Sequence, residues 1–229
     1  MKKLFYYFII IFILVSSCNS VPEKIAQGDW KYKLYVNEVE AGTALISNKI
    51  KDNKYISSSE YSMKLADLNT LTRDVITETT DFKPVKLESY SKIINKGQVT
   101  ETNIISIFKG KEVEVTYGKK KVNYTVNRDF IIDGNFFMTK LIEAKFKQGF
   151  EITNYVYNPS VELETPIKVT TKVVGFEQIM INGKEKKLMH IVQSLENIKD
   201  NIDLFIDEHG VLQKGIIYML NLKIELIKI

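Results

Sequence analysis

"DGNFFMTKLIEAKFKQG", Asp133 to Gly149, is the one stretch of this chain whose apolar spacing is helical. Phe136, Phe137, Lys140, Leu141, Ala144 and Lys145 fall at helical spacing. Asp133 or Asn135 can serve as the N-cap, and Gly149 lies just past the end. The spacing predicts a single central helix over about residues 135–146.

On both sides of it the apolar residues alternate with period two. Trp30, Tyr32, Leu34 and Val36 alternate with Lys31, Lys33 and Tyr35. Val113, Val115 and Tyr117 alternate with Glu112, Glu114 and Thr116, and Val122, Tyr124 and Val126 with Asn123 and Thr125. Leu220, Leu222, Ile224 and Leu226 alternate with Asn221, Lys223 and Glu225. Each run gives one apolar and one wetted face, as antiparallel sheets do. Turn signals at 37–38, 51–54, 95–98, 108–112, 117–120, 182–185 and 207–210 cut the chain into hairpins. Twelve to fourteen strands follow, in a mainly β fold. The expected architecture is one large curved antiparallel sheet, half-barrel-like, with the central helix packed on its concave face.

The amino terminus reads differently. Lys2 and Lys3 precede Leu4 to Val15, an uncharged apolar run. It is too short to span a bilayer, which takes about 20 residues, and has the length of a secretory h-region. It ends Val15-Ser16-Ser17-Cys18, at the only cysteine of the 229 residues. An aliphatic residue, two small residues and a cysteine resemble the lipobox of bacterial lipoproteins. The resemblance covers residues 1–18. It implies removal of residues 1–17, diacylglycerol on the Cys18 sulfur and a membrane partner held through that lipid. Two acyl chains on one atom make a stable anchor where one chain does not. Residues 18–27 then form a lipidated tether, and residues 28–229 a single β-rich domain. Asn19 and Ser20, with no Asp after the cysteine, fit a cell-envelope protein on the periplasmic side, of the outer membrane rather than the inner.

The remainder excludes much. No second cysteine exists to form a disulfide, a thiolate metal site or a cysteine nucleophile. Without Lys2 and Lys3 the chain holds 30 basic and 28 acidic residues, so nothing marks it for nucleic acid. Only two arginines occur, Arg73 and Arg128, which disfavours an anion-reading site. His190 lies in an apolar run and His209 in a turn, and neither has a metal-ligand spacing. No G-x-S-x-G, H-E-x-x-H, P-loop or G-x-G-x-x-G pattern occurs. The lysine groups 119–121 and 184–187 read as solvated turn tips. Neither an enzyme nor a cofactor is expected.

Gly28-Asp29-Trp30 opens the first strand, and a G-x-W there resembles the lipocalins, although their helix lies near the C-terminus and their strands number eight. Together with Ala41-Gly42-Thr43-Ala44 and Ile206-Asp207-Glu208-His209-Gly210, it is similar to an exported β-rich bacterial family. That layout resembles the half-barrel of the lipoprotein-localisation carriers LolA and LolB. The resemblance implies an apolar cavity holding a lipid or acyl chain, lined by Trp30, Tyr32, Phe136, Phe137 and Leu141. The same residues serve equally as helix-on-sheet core. Two functions remain open on the sequence: a non-catalytic holder of an apolar or amphiphilic ligand, and an interaction module that docks an envelope protein or glycan through strand edges and loops.

Overall fold

The structure is a computed structural model and describes residues 24–160, 165–196, 201–219 and 222–229. The lipobox and Cys18 lie outside the described residues. Among the described residues fourteen strands form one antiparallel sheet. The first eight are β1 (Gly28–Val36), β2 (Val39–Lys51), β3 (Lys54–Leu65), β4 (Leu68–Thr79), β5 (Pro84–Asn95), β6 (Gln98–Lys109), β7 (Glu112–Tyr117) and β8 (Lys120–Thr125). After the helix α1 (Phe136–Glu143) come β9 (Glu151–Val156), β10 (Ile167–Ile181), β11 (Lys184–Leu195), β12 (Ile202–Ile206), β13 (Leu212–Met219) and β14 (Leu222–Lys228). The order is β8 through β1, then β14 down to β9. Two meanders are thus zipped along their middle, where β1 pairs with β14 from Tyr32↔Lys228 to Val36↔Ile224. The edges, β8 and β9, do not pair with each other.

The strand alternation works as read in β1 and β7, whereas in β14 the expected wetted residue Glu225 is as buried as its neighbour Leu226, and β11 and β12 likewise bury adjacent residues on both faces. Tyr32, Leu34 and Val36 are buried with Leu226 on the inner face, and Leu204 and Leu212 continue that face across β12 and β13. The outer face carries ion pairs, among them Lys33–Glu40 at 2.7 Å and Lys214–Glu225 at 2.9 Å. The hairpin turns are tight. Asn37–Glu38 and Asp52–Asn53 both hold positive φ at the two central positions, as type I′ turns require.

The chain between β8 and β9, residues 126–150, crosses the inner face. Its first half packs on β5 to β8: Val126, Ile132 and Phe130 join Leu87, Ile104, Phe108, Val113 and Val115. Gly134 then lies against Glu78 and Ile76 of β4, while Phe137 packs on Val169 of β10. Eight strand steps separate β4 from β10. A flat sheet would hold them about 38 Å apart, yet the short span from Gly134 to Phe137 reaches both. The sheet therefore wraps around the crossover. The far end coils as well. Asn182, at the β10–β11 tip, donates its side-chain amide to the Lys228 carbonyl of β14 at 3.0 Å, four strands away. A bulge between Val173 and Gly175 bends β10 toward that contact.

The helix is shorter than its apolar spacing suggests, Phe136–Glu143 against an expected 135–146. Lys145 and Phe146 sit at φ of 52° and 48°, which ends the helix although Phe146 still reaches the core. The capping role divides between the two candidates. Asn135 holds the N-cap position but turns its side chain to the Ser57 hydroxyl at 2.6 Å. Asp133 instead accepts from the Phe137 backbone N–H.

Candidate functional site

The residues expected to line a cavity are all at or near the inner face, but they fall into three separate packing groups. Tyr32 is buried beside partly exposed Trp30, and its hydroxyl donates to the Leu212 carbonyl at 3.0 Å. Phe136 and Phe137 meet edge to face at 5.4 Å and pack with Ile131 and Val169. Leu141 joins Ile142, Phe146, Val173, Met189, Ile191 and Ile206. Tyr32, Phe137 and Leu141 are each no more than 3% exposed, so their neighbours are other side chains. An aromatic knot closes the β8 end: Phe130 and Tyr157 are 5.0 Å apart and Phe108 lies across them at 6.3 Å from Tyr157. The crossover is stitched there by backbone bonds, Ile131 N–H to the Tyr155 carbonyl at 2.9 Å and Tyr157 N–H to the Ile131 carbonyl at 2.8 Å.

One group in this packed interior is out of keeping with it. Glu78 is fully buried, and neither carboxylate oxygen has a partner in hydrogen-bond geometry. Burial pushes its carboxyl up to about 7, and the neighbouring Asp133 carboxylate pushes the same way. The backbone amides of Gly134 and Asn135 oppose this only weakly. Asp133 is likewise raised to about 7, by burial, against the Phe137 N–H that it accepts from. Near neutral pH the pair sits at its titration point beneath the start of α1. The favourable place of a carboxylate at a helix N-terminus does not outweigh the desolvation.

A second polar group lies on the opposite face. His190 of β11 is held between two carboxylates, Nδ1 to Glu177 of β10 at 2.6 Å and Nε2 to Asp203 of β12 at 2.7 Å. Its ring stacks on Phe205 at 4.6 Å. Both ring nitrogens are therefore engaged, in opposite directions, which suits a cross-strand clasp. Among the described residues no group of three or more His, Cys, Asp or Glu converges as a metal site would need. His209 is exposed in the β12–β13 turn. There Asp207 takes the structural role, accepting from the His209 and Val211 amides at 2.9 and 3.0 Å.

The surface grooves are open and small. One of about 370 Å³ runs along β6 to β8 past Glu112, Glu114, Asn123 and Tyr124. Another, of about 240 Å³, lies at the root of the N-terminal segment, between Ile25, Ile50, Tyr55 and Ile142. On the β10–β11 hairpin Phe176 and Met180 are 42% and 65% exposed on one face, and Lys187 lies over the Phe176 ring.

Comparison with known proteins adds to the fold alone. No family model matches the chain, and no curated protein matches it. Among solved structures, a β-barrel-like protein of the domain of unknown function DUF1849 from Brucella abortus aligns with a TM-score of 0.66 at 10% identity. The alignment covers 90% of this chain and 97% of that one. A DUF1089-family protein from Pseudomonas aeruginosa aligns at a TM-score of 0.40 and 10% identity, over 74% of this chain and 87% of that one, too distant to carry an argument. The chain thus has a mainly β, barrel-like fold similar to that of a protein of unknown function.

Proposed function

We propose that this is a non-catalytic cell-envelope lipoprotein, anchored through acyl chains on Cys18, whose half-barrel domain docks another envelope protein or glycan through its surface. The observation that carries this reading is the filled interior. Residues 126–146 occupy the inner face with their own buried side chains, Val126, Ile132, Phe137, Leu141 and Phe146. A lipid or acyl ligand in the manner of the LolA and LolB carriers would have to displace that segment. The docking reading needs no such movement. Exposed Phe176 and Met180 and the unpaired edge of β8 offer apolar contact and strand addition.

Native mass spectrometry with organic extraction, on the protein released from the membrane, separates the two readings. The expected result is a mass accounted for by the chain and its own lipid. A further, stoichiometric lipid that extracts into solvent would overturn the docking reading in favour of the ligand holder.

A further inference from the structure

Residues Lys24 to Gln27 do not trail away from the domain. Ile25 packs against the cluster of Leu141, Ile142 and Phe146, and the Gln27 side-chain carbonyl accepts from the Ile50 backbone N–H at 3.2 Å. The N-terminal segment is thereby fastened to the tip of the β2–β3 hairpin. Turns alternate between the two ends of a meander, so the 52–53 turn is at one end of the sheet and the 37–38, 96–97 and 118–119 turns are at the other. Six residue steps separate Lys24 from Cys18, at most about 20 Å of extended chain. A lipid on Cys18 must enter the membrane within that reach of the β2–β3 tip.

The tip has the composition of a membrane contact. It reads Lys49-Ile50-Lys51-Asp52-Asn53-Lys54. Ile50 is 45% exposed and is the one apolar residue among Lys49 to Lys54. Lys49 is paired with Asp29 at 3.1 Å, whereas among the described residues no ion pair engages Lys24, Lys51 or Lys54. Three free ammonium groups around an exposed isoleucine match an anionic headgroup layer over an apolar one. We infer that the β2–β3 tip, with Lys24, Ile50, Lys51 and Lys54, seats on the anionic phospholipid leaflet that holds the anchor. The domain then stands on that end and presents its 37–38, 96–97 and 118–119 turns outward. The inference rests on the lipid-anchor reading proposed above.

The test uses the full chain, processed in bacteria and reconstituted in vesicles. Because Cys18 is the only cysteine, acylation leaves the wild type without a reactive thiol, and a reactive thiol in it would refute the anchor separately. An environment-sensitive fluorophore is placed by Ile50→Cys, and in a second protein by Lys119→Cys at the far end. In vesicles containing phosphatidylglycerol the probe at 50 is expected to shift to the blue and be quenched by nitroxide lipid. The probe at 119 should stay as in water. Lys51→Glu with Lys54→Glu should weaken the contact roughly fivefold per lysine. If the anchor fails, flotation of the same variants with phosphatidylglycerol vesicles reads the contact alone. Equal emission at 50 and 119, or no response to the charge reversals, would overturn the orientation.

Discussion

Gly42→Ala is expected to destabilise the fold by about 3 kcal/mol. Across from β1 the register slips between Leu34 and Tyr35, so that Leu34 opposes Gly42 and Tyr35 opposes Glu40. Ala41 is the extra residue of that bulge. The bulge drives the Gly42 backbone toward β3, where an added Cβ would lie 1.9 Å from the Ser62 carbonyl oxygen and 2.9 Å from the Met63 Cα. Both are backbone atoms in a paired strand and cannot rotate aside. For a chain of this size the loss corresponds to a fall of about 6–12 °C in Tm. Gly110→Ala is the control. It has positive φ but open space around it, so only backbone strain of about 1 kcal/mol applies. A Gly42→Ala protein that melts with the wild type would mean that the bulge, and with it the β1–β2 register, is wrong.

Glu78→Gln is expected to stabilise the protein above neutral pH and to do little in mild acid. The folded carboxyl titrates at about 7 and the unfolded one at 4.5, so the folded state binds more protons between those values. Stability contributed by the neutral group is therefore fully present below pH 4.5 and is lost as pH rises to about 7. Above that, the buried carboxylate costs about 3 kcal/mol. Glutamine removes the charge but adds an amide to be satisfied, which leaves a net gain of about 2 kcal/mol at pH 8. Asp133→Asn should flatten the same window, since its carboxyl is raised as well. Urea midpoints at pH 5 and pH 8 read both effects. A wild type equally stable at the two pH values would show that Glu78 is hydrated or paired in solution.

Strands such as β1 and β7 were legible because burial on one face imposes alternation, and the hairpins because tight turns demand Asn, Asp and Gly; in β11 and β12 both faces are buried, so Leu188 and Met189, or Phe205 and Ile206, run together without alternation. The pairing of β1 with β14 was not legible, since it joins residues nearly 200 apart and no local pattern encodes it. The helix end was misjudged because Phe146 keeps the apolar spacing after the backbone has left the helix. At the interior, Phe137 and Leu141 are core as either reading required. Their division among separate clusters depends on how far the sheet wraps. Glu78 left no sign: besides Ile76, its face of β4 carries Asp74, Thr72 and Thr70, a mixed register in which a carboxylate does not stand out. The Glu177–His190–Asp203 clasp left none. Its members are each thirteen residues apart and meet only through the strand register. The A-G-x-A stretch, first noted as a family likeness, has a physical basis in the Gly42 bulge.

Whether the inner face is filled by the crossover or merely lidded by it is read most directly by amide hydrogen exchange at Ile131 and Tyr157. These two N–H groups tie the crossover to β9 at 2.9 and 2.8 Å. Exchange as slow as that of the β1 and β14 ladder amides, and unchanged by added fatty acid, is expected if the interior is permanently packed. Fast exchange that slows when fatty acid is added would contradict it, and would make the segment a lid over a ligand cavity.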